Sequence, residues 1–220
     1  METTEIIIPL GDIEIKGNLN IPSDARALII FSHGSGSSRF SRRNNYVAAL
    51  LNKSKIATLL TDLLTEDEDE IYENRFDVEL LTQRLVSVTN YVSNLHELQN
   101  LPIGYFGAST GAASAFMASA RYKNKIKAIV SRGGRLDLAG AYLQFVTAPT
   151  LLIVGSLDPT IMSLNERAFR QLCCTKELDI VNGATHLFEE PHKLDEVAEL
   201  AAKWFTKYLF IHPKKEQHAL

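Results

Sequence analysis

The stretch Pro102-Ile103-Gly104-Tyr105-Phe106-Gly107-Ala108-Ser109-Thr110-Gly111-Ala112-Ala113 decides the fold. Its first half is an apolar run of the kind that fills a strand buried on both faces. Its second half is Gly-x-Ser-x-Gly, and the small residues that continue to Arg121 suit a helix. A strand, a tight turn and a helix with serine at the apex make a nucleophile elbow. The glycines have a physical reason, because side chains two residues either side of the serine would collide across so tight a turn. The turn lifts the hydroxyl clear of the sheet and sets it at a helix N-terminus, where negative charge is favoured. Gly, Ala, Ser and Thr gather in many turns, so the motif takes its meaning from its surroundings.

Those surroundings alternate short apolar runs with segments of helical period. Ile6–Ile8 and Ile13–Leu19 flank the turn Gly11-Asp12 as a hairpin. Ala27–Ser32, Ile56–Thr61, Ile103–Phe106, Ala128–Ser131, Thr150–Val154 and Leu178–Val181 read as strands buried on both faces. Phe76, Leu80, Leu81, Leu85, Val88, Val92 and Leu95 recur at helical spacing, as do Ile161, Leu164, Ala168 and Leu172. Leu194, Val197, Ala198, Ala201, Phe205 and Leu209 repeat the pattern, with Pro191 near the start of that last helix. This order predicts an α/β fold, a mostly parallel doubly wound sheet with an N-terminal antiparallel hairpin. The length of 220 residues fits one α/β domain, placed at residues 1–210, with a polar tail over 211–220. The acidic run Glu66–Glu70 reads as a solvated loop, with a lid beside an active site as the sharper alternative.

Composition excludes several function classes. A hydrophobic share of 45% with 22% charged residues argues against disorder. The net charge of −3 implies no basic face, so nucleic acid is not an expected partner. The opening Met1-Glu2-Thr3-Thr4-Glu5 is acidic and lacks the basic and apolar segments of a secretory leader. No apolar run approaches the roughly 20 residues that span a bilayer. Cys173 and Cys174 are adjacent, and a disulfide between neighbours would be strained and easily reduced. They read as free thiols at a helix end in a reducing cytosol, with a redox pair as the alternative. No His or Cys pair has zinc-ligand spacing, so no metal is expected.

A serine hydroxyl needs a base to take its proton. The base should follow the last strand, and Asn182-Gly183-Ala184-Thr185-His186 occupies that place. A carboxylate must hold the histidine's tautomer and stabilise its charged form. Asp158 leaves the end of the strand Thr150–Val154 and is the first candidate; Asp137, after the preceding strand, is its rival. The order Ser109, Asp158, His186 is that of α/β-hydrolases and differs from both chymotrypsin and subtilisin. The loop His33-Gly34-Ser35-Gly36-Ser37-Ser38 follows another strand, and its backbone amides can point at a developing oxyanion. Ser35 is the expected first donor, flanked by Gly34 and Gly36, and the amide of Thr110 the second. His33 is expected to shape that loop by hydrogen bonding and not to act as a base.

Taken together these residues resemble the dienelactone-hydrolase-like branch of the α/β-hydrolase superfamily, in particular a bacterial subgroup often attached to phosphoribosyltransferase domains. The match is carried by His33–Asn44, Ala57–Thr65, Arg75–Leu81, Pro102–Ala113, Val130–Gly140, Ala148–Asp158 and Gly183–Pro191. The resemblance implies Ser109 as nucleophile, Asp158 as acid and His186 as base. Dienelactone hydrolase itself has cysteine as nucleophile, so dienelactone is not the expected substrate.

The expected function is hydrolysis of a small carboxylic ester, thioester or lactone through an acyl group on Ser109, with no metal or organic cofactor. A phosphate- or nucleotide-binding module is one alternative, since Gly-rich loops after strands can cradle phosphate. Neither Gly-x-Gly-x-x-Gly nor Gly-x-x-x-x-Gly-Lys-Ser/Thr occurs, however. A non-catalytic partner on the same fold is another. The expected partner is a small-molecule substrate, and the arginines point to a negatively charged one. Arg39, Arg42 and Arg43 follow the oxyanion loop, and Arg132 and Arg135 sit at the C-terminal end of a strand, where ligands bind in open α/β sheets. Of these, Arg39, Arg43, Arg132 and Arg135 are the substrate-binding candidates, the alternative being that they pair with structural carboxylates such as Asp137 or the Glu66–Glu70 run. The sequence leaves the oligomeric state open.

Overall fold

Ala27-Leu28-Ile29-Ile30-Phe31-Ser32 are all buried and form one strand of the computed structural model, which describes residues 3–210. Burial on both faces is what a continuous apolar run dictates, because neither side can be left to water. With β1 (Thr4–Pro9), β2 (Glu14–Asn20) and this strand as β3, the sheet continues through β4 (Ile56–Thr61), β5 (Ile103–Ala108), β6 (Ile126–Arg132), β7 (Thr150–Gly155) and β8 (Lys176–Val181). The strand order is β1-β2-β4-β3-β5-β6-β7-β8. The hairpin β1-β2 is antiparallel, β2 joins β4 antiparallel, and every other pairing is parallel. This is the α/β-hydrolase fold.

The parallel strands need crossovers, and these supply the helices: α1 (Arg42–Lys53), α2 (Glu66–Glu70), α3 (Val78–Ser93), α4 (Thr110–Tyr122), α5 (Pro159–Gln171) and α6 (Lys193–Leu209). They cover two faces. α3 and α4, with the 3₁₀ segment Leu136–Phe145, close one core through Leu85, Val88, Val92 and Phe116. α1 and α6 close the other, where Phe31 and Phe106 stack 4.9 Å apart over Leu51, Trp204 and Phe205. Each such fully buried side chain stabilises the fold by about 1.5–3 kcal/mol.

Three expectations change. Glu66–Glu70 is a short helix, not a loop: Thr65 and Glu68 exchange side-chain and backbone hydrogen bonds at 3.2 and 3.0 Å, a capping box that holds the acidic turn at the helix's positive end. The long helix starts at Val78 rather than Phe76, because the Asp77 carboxylate caps it by accepting from the Leu80 N–H at 3.0 Å. β8 is an edge strand with Ile180 largely exposed, so it is not buried on both faces. The proposed tail over 211–220 lies outside the described residues. Cys173 and Cys174 are both free thiols just beyond the end of α5. Among the described residues no helix is long and apolar enough to cross a membrane.

Candidate active site

Ser109 sits between β5 and α4 at φ 52° and ψ −124°. The neighbouring glycines are sterically required. A Cβ on Gly107 would lie 2.5 Å from Ala112 Cα, and one on Gly111 would lie 2.2 Å from the Ser32 carbonyl oxygen. The serine backbone is held from both ends by the end of β6 and the chain that follows it: the Ser109 N–H donates to the Arg132 carbonyl at 3.1 Å, and the Ser109 carbonyl accepts from the Arg135 N–H at 3.0 Å.

The sheet order brings β5, β7 and β8 to one end, where their C-terminal loops meet. His186, in the loop after β8, bridges the other two residues. Its Nδ1 donates to Asp158 Oδ2 at 2.7 Å, and its Nε2 stands 3.3 Å from Ser109 Oγ. The carboxylate partner assigns the proton to Nδ1 and leaves Nε2 as the acceptor facing the serine. The other Asp158 oxygen accepts the Ile161 N–H at 3.3 Å and caps α5, which fixes the carboxylate's direction. Gly133 passes under the imidazole; a Cβ there would lie 3.3 Å from His186 Cε1 and Nδ1. Behind the histidine, Glu190 accepts the Thr185 N–H at 3.1 Å, a bond that holds its carboxyl below the usual range. Asp137 is engaged elsewhere: it takes Arg135 Nε and Nη2 at 2.9 and 2.8 Å, and that fork holds its carboxyl below the ordinary value.

Ser35 and Thr110 are brought together, but not as two free donors. The Ser35 N–H donates to Thr110 Oγ1 at 2.7 Å, so this amide is taken up by the neighbouring hydroxyl. Thr110 opens α4, whose first-turn N–H groups have no acceptor within the helix. His33 is buried; its Nδ1 donates to the Gly34 carbonyl at 3.0 Å, and burial lowers its pKa. It braces the loop, as its position predicts.

Ser109, His186 and Asp158 open onto a cleft of about 330 Å³ walled by Ser35, Thr110, Phe76, Arg135, Thr160 and Ile161. Of the four candidate arginines only Arg135 lines it. Arg39 pairs with Asp62 and Glu5, and Arg43 with Glu189. Arg132 is buried, with Nη2 3.4 Å from Asn44 Oδ1 and its pKa pushed down to about 10 by desolvation and by the charge of Arg43. Phe76, Thr160 and Ile161 were not expected in the site. Thr160 and Ile161 follow Asp158 by two and three positions, which was the available signal; nothing local to Phe76 gave one. A larger cleft of about 630 Å³ lies on the other side of the His33–Ser38 loop, lined by Arg39, Phe40 and Asp62 among others. Among the described residues no cluster of His, Cys, Asp and Glu could hold a metal ion.

No family model matches the chain. The crystal structure of a dienelactone hydrolase from Anabaena variabilis is similar at 48% identity and TM-score 0.92, covering 94% of this chain and 98% of that one. Est1E from Butyrivibrio proteoclasticus shares the fold at 18% identity and TM-score 0.79, over 92% of this chain and 98% of its own. A dienelactone hydrolase-like promiscuous phosphotriesterase from metagenomic libraries does so at 14% identity and TM-score 0.77, over 96% and 99%. Two Mycobacterium tuberculosis proteins, provisionally named phosphoribosyl transferases, are 48% identical over 205 residues, covering 93% of this chain and 46% of theirs. The chain thus spans about half the length of the curated relatives it matches.

Proposed function

Because this chain belongs to the dienelactone-hydrolase branch of the α/β-hydrolase superfamily, we propose that it is a serine hydrolase cleaving a small carboxylic ester, thioester or lactone. The observation that carries this reading is one imidazole bonded at both nitrogens, 2.7 Å from Asp158 and 3.3 Å from Ser109. In the first half-reaction Ser109 Oγ bonds to the acyl carbon while its proton passes to His186 Nε2. Asp158 stabilises the imidazolium. The carbonyl oxygen becomes an oxyanion, held by the Thr110 N–H and by the Ser35 N–H once that amide turns from Thr110 Oγ1. The tetrahedral carbon then expels the alcohol or thiol, which takes the proton from His186. In the second half His186 removes a proton from water, whose oxygen bonds to the acyl carbon; the bond from that carbon to Ser109 Oγ then breaks, His186 returns the proton to Oγ, and the acid is freed. These groups supply every proton and charge that the reaction needs.

The direct test is a fluorophosphonate probe, which reacts rapidly only with an activated serine. Mass spectrometry is expected to find the adduct on Ser109, and Ser109→Ala to lose several orders of magnitude in turnover. A rapid adduct on another serine, or full activity in the variant, would overturn the assignment.

The substrate is expected to carry a negative charge. Arg135 supports this, since among the described residues it is the one arginine or lysine on the cleft wall, and Asp137 occupies Nε and Nη2 but not Nη1. Matched neutral and anionic esters should differ in kcat/KM, and Arg135→Gln should remove a several-fold to hundredfold preference, as expected for a charge-assisted bond of about 1.5–3 kcal/mol. Equal rates on both esters would leave Arg135 as structure only. The transferase activity in the Mycobacterium relatives' name is not carried over, as less than half of their length is matched. A cytoplasmic setting is proposed as well, in keeping with two free cysteines.

A further inference from the structure

Between the end of β4 and the start of α3 the chain leaves the core. Leu64 and Val78 are buried, and no residue from Thr65 to Asp77 is. The stretch is nevertheless firmly knit within itself. Thr65 and Glu68 form the capping box of α2, and the Asn74 side-chain amide donates to the Glu68 carbonyl at 2.8 Å. Arg75 Nε and Nη2 donate to Asp69 Oδ1 and Oδ2 at 3.1 and 2.9 Å. Its ties to the body are few. Among the described residues, the pairing of Glu68 with Arg84 of α3 is the one side-chain hydrogen bond or ion pair that leaves residues 65–76. Buried apolar side chains make an element costly to open, whereas partly exposed ion pairs contribute little. A segment anchored in this way opens locally at low cost while keeping its own shape.

Space lies on both sides of it. On one side is the cleft of about 630 Å³, lined by Thr65, Glu66, Asp67 and Asp69 and made more acidic by Glu14 and Asp62. On the other is the Ser109 cleft of about 330 Å³, to which the segment contributes Phe76 alone. The larger cleft gives the segment room to swing without displacing the core.

The face it offers is apolar. Ile71, Tyr72 and Phe76 are all exposed, and the rings of Tyr72 and Phe76 lie 5.2 Å apart. Phe76 is 43% exposed although it lines the Ser109 cleft, where the other apolar side chain, Ile161, is 7% exposed. Water on an aromatic ring beside a nucleophile is released when an apolar group covers that ring, and a second ring adds the attraction of an aromatic pair.

We propose that residues 65–77 are a lid, and that it closes Phe76 over an apolar ring of the substrate held at Ser109. The inference rests on the serine-hydrolase reading and adds a substrate class to it: small esters that carry a ring. Closure shields the acyl group from bulk water and brings the ring-bearing substrate into register with Ser109.

The test compares three neutral esters, methyl acetate, methyl 3-phenylpropanoate and benzyl acetate, so that Arg135 plays no part. At least one ring-bearing ester should exceed methyl acetate in kcat/KM by roughly ten- to a hundredfold, the range for covering one large apolar group, and mainly through KM. Phe76→Ala should lose most of that preference, and Phe76→Leu should keep part of it. Phe145→Ala, which removes an exposed ring outside the Ser109 cleft, should keep it whole. Amide exchange reports the motion. Bound to Ser109 Oγ through boron, 2-phenylethylboronic acid should slow exchange over residues 71–77 more than methylboronic acid does at equal occupancy, with β5 alike under both. Failure of a fluorophosphonate to label Ser109 would overturn the hydrolase reading and this inference with it. With Ser109 labelled, the absence of a ring preference, or one that Phe76→Ala leaves whole, would overturn this inference alone. Equal exchange over 71–77 under the two boronates would do the same.

Discussion

Ser109 holds a φ of 52° that a non-glycine residue adopts at a cost on the order of 1–3 kcal/mol. Ser109→Gly should therefore abolish turnover yet leave the fold as stable or more so. The strain relieved exceeds the roughly 1 kcal/mol of backbone entropy that glycine gives up. Thermal unfolding checks this, at about 2–4 °C per kcal/mol for a domain of this size; a clear fall in Tm would mean that Ser109 is not strained. Asp158 plays two parts, orienting His186 and capping α5. Asn is as good a cap as Asp, so Asp158→Asn should keep the fold and lose roughly 10⁴ in kcat. Asp137→Asn should change kcat little, because its partner is Arg135. Steady-state kinetics on one ester decides between the two carboxylates, and a crippled Asp137→Asn would place the acid on the wrong strand. Ser109, Asp158 and His186 could be picked out in the sequence because each follows a strand, and strand ends are where chain order becomes geometry. The direction of the Ser35 N–H could not, since it depends on one hydroxyl 75 positions away. Nor could the pairing of Arg39 with Asp62 or of Arg43 with Glu189, which joins residues from distant segments.

At the level of elements, the strands were legible almost to the residue wherever both faces are apolar, as in Ala27–Ser32 and Ile56–Thr61. α1 was not, because its inward face carries Asn44 and Asn52 beside Val47, Ala48 and Leu51, which blurs the apolar period. Asn52 earns its buried place by donating to the Ile56 carbonyl and Thr58 Oγ1 at 2.9 and 3.0 Å. α2 was hidden by its charge, although Thr65-Glu66-Asp67-Glu68 spells the capping box that forms it. Five residues cannot sustain a helix alone, so this one depends on its cap and on the pairing of Glu68 with Arg84 and Asp69 with Arg75. Thr65→Ala should cost about 0.5–2 kcal/mol locally. Amide exchange should accelerate at residues 66–70 while α3 and β4 keep their protection. Unchanged exchange there would show that the ion pairs hold α2 without the cap.

Across the whole molecule, the sheet order sets the cleft of Ser109 and the acidic cleft side by side at the C-terminal ends of the strands, with His33 at the start of the loop between them. His33 is expected to make the fold sensitive to acid. Desolvation lowers its pKa in the native state, so the unfolded chain, titrating near 6.5, binds the proton first. Its contribution is present in full above about pH 6.5 and is lost as the pH falls towards the native value, by at most about 1.4 kcal/mol per pH unit. Urea midpoints should decline as the pH drops below about 6.5, and His33→Gln should flatten that limb; an equal decline in the variant would assign the limb to other groups. The backbone grip on Ser109 from Arg132 and Arg135 reaches further still. Residues 133–137 contain Arg135, on the wall of the cleft, and Asp137, which fixes its fork. If Arg135 selects the ligand and Ser109 attacks it, as proposed, the same peptide does both jobs. Selectivity and reactivity would then not be separate modules, and a loop graft that retunes one would inherit a disturbance of the other.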